Sequence, residues 1–212
     1  MAKLERYIEG RFAFEDDHLR AIREAMEREE LPTIQLPRIS ARLLQLLLRA
    51  VGARRVLEVG TLAGYSALWI ARSLPSDLKP GEGLLTLERE AERAALARTL
   101  LGRAGVSSRV EVREGEARSI LPSLPSGSFD AVFLDADKEG LVDYVVEAKR
   151  LLRHGGLLVV DNALWRGQVL DPGARDPATE GIRRTHELLA GDPGFDATIV
   201  PVGDGLLIAL RC

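Results

Sequence analysis

The stretch Arg55-Val-Leu-Glu-Val-Gly60-Thr-Leu-Ala-Gly64-Tyr-Ser-Ala-Leu-Trp-Ile-Ala71 decides the fold. Residues 56–59 are a short, mostly apolar run ending in glycine, the pattern of a buried strand. Residues 60–64 read as a tight turn, and residues 65–71 as the start of a helix. In an open parallel sheet, ligands bind where strands end and helices begin. Glycines let a ligand approach the main chain there, and the helix N-terminus offers free N–H groups. The form is Glu58-x-Gly60-x-x-x-Gly64, not Gly-x-Gly-x-x-Gly. Leu62 stands where a middle glycine would let a pyrophosphate lie on the backbone. A nucleoside ligand without a diphosphate is therefore favoured over a dinucleotide. The competing reading of this stretch alone is an ordinary glycine-rich strand–helix turn.

Working outward from residue 55, strands and helices alternate. Strands are expected at 55–60, 83–88, 109–114, 129–135 and 156–161, and helices at 65–73, 89–104, 117–121, 139–153 and 179–190. Such alternation gives an α/β fold, a parallel sheet with right-handed crossovers and helices on both faces. Two last strands, at 195–202 and 206–211, flank Gly203-Asp204-Gly205. That hairpin signal places an antiparallel strand at the end of the sheet. Before the sheet, helical patterns cover 15–30, stopped by Pro32, and 39–51, with an apolar face of Leu43, Leu44, Leu46, Leu47 and Val51. These N-terminal helices, within residues 1–52, pack on the sheet, cover its ligand or form a subunit contact. No repeat, low-complexity tract or linker interrupts residues 1–212, so one domain is expected.

The bulk composition excludes several classes. At 212 residues, with 46% hydrophobic and 29% charged, the chain is long enough for one well-packed core. Net charge is −3 without a long single-sign run, which argues against nucleic acid or an anionic membrane as partner. No apolar run reaches the roughly 18 residues that span a bilayer, and the start of the chain is charged rather than signal-like. The one cysteine, Cys212, forms no internal disulfide, which suits a cytoplasmic protein. Of 29 basic residues only four are lysine (Lys3, Lys79, Lys138 and Lys149), leaving 29 − 4 = 25 arginines. A lysine among acids in such a chain does something arginine cannot, since arginine does not give up its proton.

Three constellations carry chemistry. Glu88 closes the second strand beside the glycine turn, where a carboxylate can accept both hydroxyls of a ribose. It can equally sit at the N-terminus of the next helix. Gly115-Glu116-Ala117, after the third strand, can wall an adenine. The richest cluster ends the fourth and fifth strands: Phe129-Asp-Ala-Val-Phe-Leu-Asp135-Ala-Asp137-Lys138 and Gly155-Gly-Leu-Leu-Val-Val-Asp161-Asn162. Adjacent parallel strands lie about 4.8 Å apart, so neighbouring ends in register reach one common ion. Asp135, Asp161 and Asn162 are hard oxygen ligands that suit Mg²⁺ better than zinc. The plainer alternative is that both acids cap the segments that follow. Lys138 falls at a helix start, where the dipole and a nearby cation disfavour its ammonium form while Asp135 and Asp137 favour it. A lysine poised there can act as general base toward a hydroxyl; otherwise it is a solvated surface residue. His18, His154 and His186 are scattered over predicted helices or their ends, without ligand spacing. Trp165-Arg166-Gly167 can flank a planar substrate or simply anchor its loop.

Taken together, Glu58-Val-Gly60-Thr-Leu-Ala-Gly64-Tyr-Ser66, Phe133-Leu-Asp135-Ala-Asp137-Lys138, Asp161-Asn162-Ala-Leu-Trp165-Arg-Gly167 and Pro201-Val-Gly-Asp204-Gly205-Leu resemble the cation-dependent O-methyltransferases, the catechol and caffeoyl-coenzyme A family in its bacterial branch. The resemblance spans roughly residues 34 to 211. It implies a Rossmann-like methyltransferase fold, a mostly parallel seven-stranded sheet with the last strand antiparallel. It also implies S-adenosylmethionine (SAM) as methyl donor, a divalent cation such as Mg²⁺, a vicinal dihydroxy aromatic as acceptor and a homodimer. By motif position, Gly60 and Gly64 would face the methionine part of the donor and Ser66 its carboxylate. Glu88 would hold the ribose and Ala117 border the adenine, with Glu58 and Asp135 also counted among the donor-binding residues. Asp135, Asp161 and Asn162 would bind the metal, with Lys138 and Asp135 catalytic. Four positions depart from the family. Leu141 replaces a frequent tyrosine, Ala41-Arg42 a common Gly-Gln, and Pro201 a substrate-contacting glutamate of the animal catechol enzymes. Rival readings are a metal-independent methyltransferase, a non-catalytic nucleotide-binding module on the same fold, and an NAD-dependent dehydrogenase, which Leu62 disfavours.

Overall fold

The structure is a computed structural model, and it describes residues 2–212. Seven strands form one sheet: β1 (Arg55–Val59), β2 (Gly83–Glu88), β3 (Val110–Glu114), β4 (Phe129–Leu134), β5 (Leu152–Val160), β6 (Phe195–Val200) and β7 (Leu206–Arg211). Their order is β3-β2-β1-β4-β5-β7-β6. Pairs β3–β2, β2–β1, β1–β4 and β4–β5 are parallel, and β7 is antiparallel to both β5 and β6. The last strand is thus antiparallel, as expected from the sequence. It sits one place in from the edge, because it slots between β5 and its own hairpin partner β6.

The helices cover both faces. α1 (Ala2–Phe12), α2 (Asp17–Arg28) and α3 (Arg38–Ala50) precede the sheet, and α4 (Tyr65–Ser73), α5 (Ala91–Arg103), α6 (Ala117–Ile120), α7 (Leu141–Leu151) and α8 (Pro177–Gly191) follow strands. The strand alternation sorts side chains into two cores. Val56, Leu84, Ala131, Phe133, Leu157 and Val159 face α2–α5. Leu57, Val59, Leu85, Leu87, Val132, Leu134, Leu158 and Val160 face α6–α8. With both faces covered, the central strands are continuously buried, which is why they read as apolar runs.

Several boundaries move. The expected helix 15–30 begins at Asp17, because Asp16 accepts from Leu19 N at 3.1 Å and caps it. α8 starts two residues earlier than expected, where Asp176 caps Thr179 N at 3.0 Å and Pro177 occupies the first turn. α7 stops at Leu151 and β5 begins at once. The extra residues His154-Gly155-Gly156 are absorbed by a register shift between the Phe129 and Ala131 pairs with β5. His154 therefore lies on a strand, not at a helix end. α1 was unanticipated and leaves Leu4, Tyr7 and Phe12 exposed. No helix among the described residues is long and apolar enough to cross a membrane.

Candidate active site

The strand order reverses direction between β1 and β4, the switch point where an open sheet leaves a crevice. A cavity of about 690 Å³ opens there, within the range of small-molecule sites. Gly60, Ser66, Glu88, Ala117, Asp135, Lys138, Asp161 and Asn162 all line it.

At one end lies the glycine turn. Gly60 has φ +99°, and a Cβ there would stand 2.1 Å from the Asp135 carbonyl oxygen. Only glycine lets the end of β1 pass so close to the end of β4. Gly64, at φ +90°, caps α4 without a side-chain hydrogen bond, leaving the first-turn N–H groups open. Two residues counted as donor-binding do not line the cavity. A Cβ on Gly64 would point at Leu101 of α5, 3.2 Å away. Glu58 is fully buried on the face of β1 under α4, where its Oε2 accepts from Thr86 Oγ1 at 2.6 Å. Burial pushes its carboxyl up to about 8, against the lowering pull of the Ser66 and Thr86 hydroxyls. Glu58 is a neutral acid at neutral pH, tied to Ser66 and Thr86 behind the turn.

Glu88 fulfils the plainer expectation and still faces the cavity. Its Oε1 accepts from Glu90 N at 3.0 Å, ahead of α5, and its Oε2 accepts from Leu62 N at 2.7 Å. The carboxylate thereby orders the turn that lacks the middle glycine. Each oxygen retains a lone pair for a ligand hydroxyl.

The other end is acidic. Leu134 pairs with Val160, so Asp135 and Asp161 leave adjacent strands side by side. Asp161 is 1% exposed, and neither of its carboxylate oxygens has a hydrogen-bond partner. Burial pushes its carboxyl well above the ordinary range, and the charges of Asp135 and Asp204 add to this; the positive charge of Lys138 opposes it. A buried carboxylate without a partner is costly unless a cation meets it. Among the described residues, no group of three or more His, Cys, Asp or Glu is arranged to hold a metal ion. The set here is two carboxylates with Asn162 as a third, amide donor, held in the left-handed region at φ +59°. Its hard-oxygen chemistry and the orphaned Asp161 fit a divalent cation.

Lys138 is not on the first turn of a helix. It precedes α7, whose cap is Gly140, and is 5% exposed with Nζ 3.3 Å from Asp135 Oδ1. It is no solvated surface lysine. Asp137 turns away from this pair: it accepts from Gly140 N at 2.8 Å and from Tyr144 OH at 2.6 Å, fastening the start of α7. Tyr144 lines the cavity, while Leu141, the departure from the family, is buried in the core beside α7. Pro201 is exposed and outside the lining, and Ala41 is fully buried in α3.

The rest of the cavity lining includes Met26, the segment from Thr33 to Pro37, Trp165, Arg166 and Asp204. The N-terminal helices therefore contribute a wall as well as packing. Tyr65 ties them to the turn, its OH donating to Glu15 Oε1 at 2.6 Å, and Arg72 pairs with Asp16. Sequence reasoning passed over three participants: Tyr144, Asp204 and Gly181. A lone glycine inside a helix usually has a packing reason, and Gly181 does, since a Cβ there would stand 2.1 Å from the Lys138 carbonyl oxygen.

A sequence model of the family described as O-methyltransferase matches residues 10–212. A catechol O-methyltransferase of Niastella koreensis is 39% identical over 98% of this chain and 96% of its own. One from Mycobacterium tuberculosis is 41% identical over 96% and 93%. Among solved structures, an O-methyltransferase from Streptomyces achromogenes in complex with SAM superposes with a TM-score of 0.90 at 38% identity, covering 99% of this chain and 96% of that one. An O-methyltransferase from Bacillus cereus in complex with SAH gives 0.91 at 34% identity, covering 99% and 97%. A switch-point crevice with a glycine turn at one end and an acid–lysine cluster at the other, matched along nearly the whole chain, leads to one conclusion: the protein belongs to the O-methyltransferase family.

Proposed function

We propose that this protein is a SAM-dependent, divalent-metal-dependent O-methyltransferase acting on a small aromatic with two vicinal hydroxyls. The observation that carries the reading is the buried, unpartnered Asp161 carboxylate beside Asp135 and Lys138, in the same cavity as the glycine turn. The SAM and SAH held by similar structures support the donor.

In this reading the Gly60 turn and Ser66 take the methionine part of SAM. Glu88 takes the ribose hydroxyls on its remaining lone pairs, and Ala117 borders the adenine. Glu58 and Gly64 act from behind, by fixing Ser66 and the start of α4. Asp135, Asp161 and Asn162 would hold the cation. When bound, a divalent cation supplies Lewis acidity that lowers the pKa of a coordinated hydroxyl. Lys138 Nζ, as the neutral amine, accepts the acceptor's hydroxyl proton, and the ammonium so formed is held by Asp135. The acceptor oxygen then forms its bond to the sulfonium methyl carbon as the S–CH₃ bond breaks, and neutral S-adenosylhomocysteine leaves. Trp165 and Pro37 provide apolar walls for the ring, and much of the acceleration is positioning. The exposed Leu4, Tyr7, Phe12 and Phe14 support a homodimer, and the single cysteine a cytoplasmic setting. Sedimentation at the monomer mass would remove the dimer.

The test is methyl transfer from SAM to vicinal diphenols (caffeic acid, dihydroxybenzoate, a flavonoid), with Mg²⁺ and again with excess chelator. Product that vanishes with chelator is expected. Chelator-resistant product would remove the metal role of Asp135, Asp161 and Asn162 while keeping the methyltransferase.

A further inference from the structure

We propose that Asp204 is a positioning residue, a clamp from the β6–β7 hairpin that holds the loop carrying Asn162 and Trp165 in its working shape. Its importance for turnover rests on the function proposed above; its grip on the loop does not.

The loop after β5 needs a clamp. Five non-glycine residues of the described chain have positive φ, and three of them fall here: Asn162 at +59°, Trp165 at +47° and Arg166 at +53°. L side chains disfavour this region, asparagine least, so a tryptophan and an arginine held there together require outside restraint. The neighbouring hairpin supplies it. Ala163 N donates to Gly205 O at 2.9 Å, and Leu164 N to Asp204 O at 2.9 Å. The hairpin's side-chain contribution is Asp204 Oδ1, which accepts from Arg166 N at 2.6 Å.

The simpler account of Asp204 is an ordinary turn former between two glycines. Its side chain argues otherwise, because it reaches across 38 positions to a different loop. The flanking glycines serve the same contact. A Cβ on Gly205 would stand 2.5 Å from Leu164 Cγ, and one on Gly203 2.6 Å from Ser40 Oγ and 3.0 Å from Pro37 Cγ. The hairpin tip is thus wedged between two walls of the cavity, the segment from Thr33 to Pro37 and the loop from Asn162 to Gly167. Release of Arg166 N would let the strained loop relax, carrying Trp165 off the cavity wall and turning Asn162 away from Asp161.

Asp204 also carries a charge near Asp161, and the experiment must separate charge from clamp. Asp204→Asn keeps an oxygen acceptor for Arg166 N and removes the charge; Asp204→Ala removes both. In protein free of metal, donor and acceptor, hydrogen exchange reads the Arg166 amide directly. The wild-type amide should be protected although the residue is exposed, and Asp204→Ala should speed its exchange tenfold or more, leaving the amides of α4 unchanged. Mn²⁺ binding followed by electron paramagnetic resonance should weaken 10- to 100-fold in Asp204→Ala, the range for losing a group that orients a metal ligand. Asp204→Asn should stay within about threefold of wild type in both measurements. An unprotected wild-type Arg166 amide overturns the proposal even if Asp204→Ala does not fold. So does an Asp204→Asn as impaired as Asp204→Ala, which would assign the effect to charge. Exchange needs no turnover, so an absence of methyl transfer would sink the functional reading and leave the clamp standing.

Discussion

Gly181→Ala, outside the cavity, should separate stability from activity. Gly181 lies in the interior of α8, where alanine is intrinsically preferred by about 1 kcal/mol. Propensity alone therefore predicts a more stable protein. Packing opposes it: the new Cβ would stand 2.1 Å from the Lys138 carbonyl oxygen, whereas ordinary contact begins at 3.4 Å. The Lys138 main chain must retreat by 3.4 − 2.1 = 1.3 Å, or α8 must lift by the same amount. Overpacking of this kind costs about 1–3 kcal/mol, so the net loss of stability should be between about 0 and 2 kcal/mol. Activity should fall much further. Lys138 Nζ is placed by its own backbone against Asp135, and a misplacement of about 1 Å at a reacting group costs roughly 10²-fold. The assay is kcat at saturating SAM and diphenol, beside calorimetric SAM affinity, which should not change because the glycine turn lies at the other end of the cavity. A kcat within twofold of wild type would refute the reasoning. It would mean that α8 yields instead of the lysine loop, or that Lys138 is not the base.

Two further substitutions test the buried acids. Asp161→Asn should abolish Mg²⁺-dependent turnover and yet stabilise the metal-free protein by about 1 kcal/mol or more, since it removes the cost of ionising an unpartnered buried carboxyl. In a chain of this size that is roughly a 2–4 °C rise in Tm per kcal/mol, and a lower Tm without metal would show that Asp161 has a partner. Glu58→Gln should change the pH dependence of stability. The carboxyl is raised from 4.5 to about 8 in the folded protein, so the native state holds the proton that the unfolded chain has released. The contribution of Glu58 to stability is then fullest below pH 4.5, declines as pH rises, and levels off above about 8. At pH 7 the penalty is on the order of 3 kcal/mol, from 2.5 pH units at about 1.4 kcal/mol each. Denaturant titrations at pH 5 and pH 8 should show the variant gaining on wild type with pH; an advantage that stays constant would contradict the neutral-acid assignment.

Much of the site was legible because it is written where strands end. Gly60, Glu88, Asp135 and Asp161 each terminate an apolar run, and in a parallel sheet all such ends point to one rim. The period-2 sorting of two cores could likewise be foreseen from continuous apolar strands between helical patterns. Boundaries failed where a local signal was outweighed. The Asp176-Pro177 cap extends α8 backward, and α7 runs into β5 without a loop because a register shift absorbs three residues.

What the sequence hid is the set of contacts between rims. Glu58 stands in the same motif as Gly60, but side chains alternate along β1, so its carboxyl goes under α4 and not into the cavity. Gly181 and Lys138 are 43 positions apart, and only the docking of α8 against the lysine loop gives that glycine its meaning. Asp204 reads locally as a hairpin residue, because nothing near it reveals that the β5 loop is strained and in need of an acceptor. The groups proposed to bind and react are thus specified by their own strands, while the contacts that fix their geometry come from residues far along the chain. For this fold, substitutions at Gly181, outside the cavity, and at Asp204, on its rim, should therefore impair function as strongly as those at the acids and the lysine while leaving the sheet intact.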